Sequence, residues 1–264
     1  MTEISAAMVK ELRDATSAGM MDCKRALQET EGDFDAAAKL LREKGIASAA
    51  KRADRETSEG VVLTRIDGSK GTIVAVGCET EPVSKNDDFQ AFARDVLEAV
   101  FSSGEGAVGE LEATRVELGA RLGENIQIVG VRTLEAAEGE SLAAYVHPPA
   151  NKVGVLVKTR GGSPELARQL AMHVSFSKPT YASRDEVPGE LVQSEREILL
   201  KLPEVESKPA EVREKIVEGM LNKRFFAESV LGEQAWIHDT GFTVAKALAE
   251  GGLELVDYAW YSVG

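Results

Sequence analysis

Three kinds of residue in this chain are candidates for chemistry: carboxylates at the end of a β-branched run, scattered histidines and cysteines, and paired glycines before a helix. Glu79 and Glu81 follow Val76 at equal strand parity, so an extended backbone would point both to one side. Such a pair can serve as general acid and base, but only within a pocket. The flanking residues indicate none, and a solvated strand end is the plainer reading. His147, His173 and His238 have no second ligand at metal spacing beside them. Cys23 and Cys78 belong to no CxxC pattern, and both are expected to be reduced and at least partly buried. Gly161-Gly162-Ser163, ahead of a helix at Glu165, would suit an anion at a helix start. Glycines there more simply permit the turn.

No GxxxxGK[ST] loop is present, which argues against nucleoside triphosphate binding through a Walker motif. There is no GxGxxG opening a helix after a strand, and no GxSxG elbow. Neither catalysis, a cofactor nor a metal is indicated by these residues. With 264 residues the chain is long enough for one or two cores and a small accessory module. Its 43% hydrophobic and 28% charged residues fit a soluble globular protein. No apolar run approaches the roughly 20 residues that span a bilayer. Met1 to Ser5 lacks the basic-then-apolar pattern of a signal peptide, so a cytoplasmic protein without membrane contact is expected.

The net charge of −13 argues against a nucleic-acid partner, since a protein that tracks phosphates needs a basic face. That charge is uneven. Residues 1–55 carry ten Lys/Arg and ten Asp/Glu, and the remainder carries 21 and 34, which hints at separate modules.

The elements that must position these residues follow from periodicity. Ile4, Met8, Val9 and Leu12 share one face of a first helix. A second follows Ser17-Ala18-Gly19 and runs through Met20, Met21, Cys23, Ala26 and Leu27. Asp33 is the expected N-cap of a third, whose Phe34, Ala37, Ala38 and Leu41 keep the helical spacing until Gly45 stops it. Residues 46–59 either continue as helix or form a linker; composition does not decide. Val61 to Ile66 and Thr72 to Val76 form a hairpin across Asp67-Gly68. A long helix carries Phe89, Phe92, Ala93, Val96, Leu97 and Val100 on one stripe, and Phe89 is read as core. A further helix over Leu111 to Leu122 and a strand from Ile126 to Val131 complete the unit. Strands at Leu142 to Val146 and Val153 to Val157, a helix bearing Leu166, Leu170, Ala171 and Val174, and a closing strand from Leu253 to Val263 repeat the order. Between them Val187 to Leu202 and Ala210 to Phe226, separated by Pro203 and Pro209, form an antiparallel helical hairpin. Leu191, Val192, Ile198, Leu199, Ile216 and Val217 either hold it together or face a partner.

Three stretches carry a resemblance: Val9-Lys10-Glu11-Leu12-Arg13 with Thr16-Ser17-Ala18-Gly19-Met20-Met21-Asp22-Cys23-Lys24-Arg25-Ala26-Leu27; Val76-Gly77-Cys78-Glu79-Thr80-Glu81-Pro82-Val83 with Phe89-Gln90-Ala91-Phe92-Ala93; and Ala171-Met172-His173-Val174-Ser175-Phe176-Ser177-Lys178-Pro179. With Gly154-Val155-Leu156-Val157 and Lys215-Ile216-Val217-Glu218-Gly219, they span almost the whole chain in order and resemble the elongation factor Ts family.

The resemblance implies an α+β fold: a three-helix ubiquitin-associated-like module with its linker (1–55), then two related α/β subdomains (56–140 and 141–264), the second bearing the hairpin at about 187–226. It implies a non-enzyme that binds elongation factor Tu, GDP-bound and nucleotide-free, and promotes GDP release in translation elongation. The alternative is a Tu-binding, chaperone-like protein with weak exchange. Met20 and Met21 carry over as the turn that presses on the partner, one of them expected to pack inward and one outward. Thr80, Glu81, Pro82 and Val83 stand where the family has a Thr-Asp-Phe-Val tetrapeptide that intrudes near the magnesium site. Here Glu lengthens the acidic arm, and Pro removes the aromatic wedge. The resemblance allows a homodimer through the hairpin. The carboxy-terminal helix that some members add is not expected in a sequence ending at Gly264.

Overall fold

A computed structural model describes residues 4–16 and 18–264; Ser17, read in the turn before the second helix, lies outside them. Helix α1 (Ala6–Thr16) starts at Ser5, whose hydroxyl accepts the Met8 N–H at 3.2 Å. Its Val9 and Leu12 meet Cys23, Ala26 and Leu27 of α2 (Met20–Glu29) and Ala37 of α3 (Phe34–Arg52) in one small core. Asp33 caps α3 as expected, its carboxylate accepting the Ala36 N–H at 2.9 Å.

Gly45 does not stop α3. The helix continues to Arg52, and Gly45 is the point where it crosses a later helix: a Cβ there would lie 2.8 Å from the Ala120 methyl. A helical glycine costs about 1 kcal/mol against alanine, which the close approach of the two backbones offsets. The undecided segment thus divides into helix to Arg52 and a short connection to the first strand.

Strands β1 (Glu59–Asp67) and β2 (Lys70–Cys78) form the expected hairpin, its loop opened by Gly68 at φ 58°, a conformation that favours glycine. After the single turn α4 (Glu81–Ser84) comes α5 (Asp87–Ser103), then a short 3-10 turn, α6 (Glu112–Leu122) and β3 (Gln127–Glu135). The sheet order is β1-β2-β3, antiparallel throughout. Strand alternation divides β2: Val74, Val76 and Cys78 face the α5 stripe, all six of whose apolar residues are buried, while Ile73 and Ala75 face a second sheet.

That sheet has the order β4-β5-β6, from β4 (Glu140–Val146), β5 (Val153–Gly161) and β6 (Leu253–Ser262). Leu156 of β5 packs toward the first sheet, whereas Val155 and Val157 meet α7 (Pro164–Ser177). The two sheets therefore pack face to face with helices outside. In each, the closing strand pairs with the second strand of a hairpin, so the repeated order in the sequence corresponds to a repeated topology in an α+β fold.

Between α7 and β6 stand α8 (Gly189–Leu200), the one-turn α9 (Pro203–Glu206), α10 (Ala210–Met220), a π-helical stretch to Phe226, α11 (Ala227–Ser229) and α12 (Val244–Glu250). The hairpin has its own core, in which Leu199 and Val217 are buried and Val192 and Ile216 pack at the margin. Arg196 of α8 crosses to Glu214 (3.2 Å) and Glu218 (2.8 Å) of α10. Of the apolar residues singled out there, Leu191 and Ile198 face outward.

His173 is a buried tie. Its Nδ1 accepts the Ile237 N–H at 3.3 Å, which leaves the proton on Nε2 to donate to the Gln234 carbonyl at 3.0 Å. The Gln234 amide in turn donates to the Glu228 carbonyl at 2.7 Å, and the imidazole stacks on Trp236. Burial pushes the His173 pKa down. Above its unfolded value of about 6.5 the ring is neutral in both states. Below it the unfolded chain takes up the proton first, so stability falls with pH by at most about 1.4 kcal/mol per unit until the folded value is passed. Denaturant melts between pH 7.5 and 5.5 should register this slope, and His173→Gln should flatten it.

Candidate partner-binding surface

The apolar residues of α1 and α3 pack on Cys23, Ala26 and Leu27, deeper along α2, and leave its first turn uncovered. Met20 is 55% and Met21 65% exposed. The expectation that one of them packs inward is therefore wrong: both point to solvent, because the apolar residues of α1 and α3 reach only Cys23, Ala26 and Leu27 of α2. Flexible thioether side chains at a helix start form an adaptable apolar contact.

The second element is the turn after β2. Thr80 precedes α4, whose Pro82 sits in the first turn where its missing N–H costs nothing. The Ser84 hydroxyl donates to the Glu81 carbonyl at 2.8 Å, and the Asn86 side chain caps α5 by accepting the Asp88 N–H at 2.9 Å. Within this frame Val83 packs against the α5 core, while Glu81 and Pro82 are exposed. Lys85, at 2.6 Å, holds the Glu81 carboxyl below the usual carboxylate range, by its hydrogen bond first and its charge second. Phe89 is fully buried and is core, as the stripe predicts.

Glu79 and Glu81 are not a pair, nor is Glu79 a solvated strand end. β2 finishes at Cys78 and the chain bends, so strand parity no longer relates them. Glu79 turns inward, accepting the Asn125 N–H at 2.6 Å and pairing with Arg55 at 3.3 Å. Opposite it, one oxygen of Glu124 accepts the N–H groups of Glu79 (3.0 Å) and Thr80 (3.1 Å), and the other accepts the Thr80 hydroxyl. Beneath them, burial first and the Glu124 charge second push the Cys78 thiol up to about 12. It stays protonated and donates to the Thr80 carbonyl at 3.4 Å. Both cysteines are free and buried.

The loop after α6 holds the second element directly. Gly123 lines a groove with Gly19 and Asp22 beside the methionines, and with Lys44 and Arg52 of α3, while the adjacent Glu124 holds Thr80. Glu124 and Asn125 carry no signal in the sequence, since they act on residues about 45 positions away. The glycines at 161–162 both take positive φ before Ser163, whose hydroxyl caps α7 by accepting the Leu166 N–H at 3.1 Å, so they serve the turn. Among the described residues no three or more His, Cys, Asp or Glu side chains cluster as metal ligands, and no helix is long and apolar enough to cross a membrane.

The family model described as Elongation factor TS matches residues 79–264, beginning one residue before this turn. A protein of Idiomarina loihiensis named Elongation factor Ts is 41% identical, covering 99% of this chain and 91% of its own length. One of Cronobacter sakazakii with that name is 40% identical, covering 100% of this chain and 93% of its own. The chain belongs to the elongation factor Ts family. It is thereby a translation elongation factor, a protein of protein biosynthesis. Met20 and Met21 precede the segment matched by the elongation factor Ts model, but they lie within the length aligned to the relatives.

Proposed function

We propose that the chain is a guanine-nucleotide exchange factor, not an enzyme, that binds elongation factor Tu carrying GDP, disturbs its magnesium and phosphate site, and promotes GDP release. On this reading residues 1–55 are a contact module with its linker, 56–140 and 141–264 are two core subdomains, and the hairpin at about 187–226 belongs to the second. The protein works in the cytoplasm. No bond is made or broken by the chain. A GTPase holds its nucleotide with a phosphate loop and a magnesium ion. A partner that prefers the nucleotide-free state must weaken GDP binding by the same factor, because coupling between two ligands is reciprocal.

The observation that carries this reading is the outward exposure of two elements. Met20 and Met21 offer apolar, deformable contact, and the turn from Thr80 to Val83 offers an ionised carboxylate at Glu81. A carboxylate brought to a magnesium site competes for the ion and repels the phosphates. Pro82, exposed where the family pattern has an aromatic residue, favours the second reading, in which the chain binds elongation factor Tu with weak exchange.

Release of a fluorescent GDP from the cognate elongation factor Tu, under excess unlabelled GDP, tests this. Acceleration by the chain, reduced about threefold to tenfold by Glu81→Ala, supports an exchange factor whose altered turn still acts; tenfold corresponds to about 1.4 kcal/mol. Acceleration untouched by that change moves the mechanism to the methionines. Binding without acceleration sinks the exchange reading and leaves the second.

A further inference from the structure

Resting on the exchange-factor reading, we propose that Glu124 is a positioning residue for the Thr80–Val83 turn, and that Glu124 and Asn125 together tie this turn to the end of the three-helix unit. A chain leaving a strand has backbone donors without ladder partners, and these must be satisfied elsewhere. Here the Glu79 and Thr80 N–H groups are both taken by one oxygen of Glu124, and the Thr80 hydroxyl by the other. Bonds to an ionised acceptor are stronger than those between neutral groups. Glu79 returns the interaction by accepting the Asn125 N–H, so the two segments clamp each other from both sides.

The clamp reaches further. The Asn125 side chain is 4% exposed and donates to the carbonyls of Ala53 (3.1 Å) and Arg55 (2.8 Å), just beyond α3. Gln127 adds a bond to the Ala53 carbonyl at 3.2 Å. A continuous set of hydrogen bonds thus runs from the end of α3 through Asn125 and Glu124 to Thr80. Beyond Thr80 the turn is held by the Ser84–Glu81 bond, the Lys85–Glu81 pair and the packing of Val83, while Glu124 fixes the backbone from which the turn starts. A turn ordered before docking avoids the entropy cost of ordering on docking. The clamp thus fixes the turn against the segment that follows α3.

Glu124→Ala and the near-isosteric Glu124→Gln, in the full chain, distinguish positioning from general support. Amide hydrogen exchange at Glu79 and Thr80 should rise at least about tenfold in Glu124→Ala, with β2 from Val74 to Val76 unchanged. Acceleration of GDP release should fall about tenfold in Glu124→Ala and stay within about threefold in Glu124→Gln, since one lost charge-assisted bond suffices for a factor of ten. Glu81→Ala should cost much less in the Glu124→Ala background than alone, because a carboxylate that is no longer aimed has little left to lose. Unchanged amide protection, full acceleration despite opened amides, or an undiminished Glu81→Ala effect would each overturn the proposal. Should Glu124→Ala not fold, Glu124→Asp, which withdraws the carboxylate by one methylene, carries the same comparison. If the unaltered chain does not accelerate GDP release, the exchange reading falls, while the amide result still decides the clamp.

Discussion

Replacing Met20 and Met21 together by alanine should slow the accelerated release of GDP at least about tenfold, with the melting temperature almost unchanged. Covering a methionine side chain fully is worth about 1.5–3 kcal/mol. Both side chains are more than half exposed in the free chain and have that apolar surface to offer. Loss of about 1 kcal/mol at each already exceeds a factor of ten. Folding stability should move by no more than about 0.5 kcal/mol, as for other surface positions away from packing contacts; alanine is also a slightly better helix former. The decisive comparison is exchange rate against thermal melt on the same sample. Full acceleration by the double variant would remove the methionines from the contact, whereas a module that melts would mean they had been packing.

Phe89→Ala should have the largest effect on stability. Phe89 is fully buried at the head of the α5 stripe, against Val74, Val76 and Cys78 of β2. Truncating a buried phenylalanine costs about 3–5 kcal/mol, from lost transfer energy and the cavity left behind. In a chain of this size the melting temperature should fall by roughly 6–15 °C, which circular dichroism would follow. Exchange should fall as well, because the Asn86 cap that receives the Phe89 N–H at 3.4 Å closes the frame of the Thr80 turn, and Val83 rests on the same core. A variant that melts like the parent would mean that Phe89 is not core and is free to stand in for the aromatic wedge that Pro82 displaces.

What was legible and what was not divides along one physical line. The α5 stripe, the β1–β2 hairpin and the Asp33 cap depend on residues within a few positions of one another, so period, turn chemistry and capping predict them directly. The match of Met20-Met21 and Thr80-Glu81-Pro82-Val83 to a family pattern is also local, and it singled out both proposed contact elements. Tertiary structure alone decided whether those elements are covered. Gly45 carries the mark of a helix end, yet α3 runs past it, and the glycine instead leaves room for Ala120, far along the chain. Periodicity placed Met20 and Met21 in a helix, but their exposure depends on where α1 and α3 stop packing. Glu79 has strand parity with Glu81, yet it turns inward to Asn125, and Glu124 becomes the anchor of a turn about 45 residues before it. Local patterns set which face of an element is apolar and where it begins. Burial and hydrogen-bond partners are properties of pairs brought together by the fold, and the order of residues along the chain does not contain those distances.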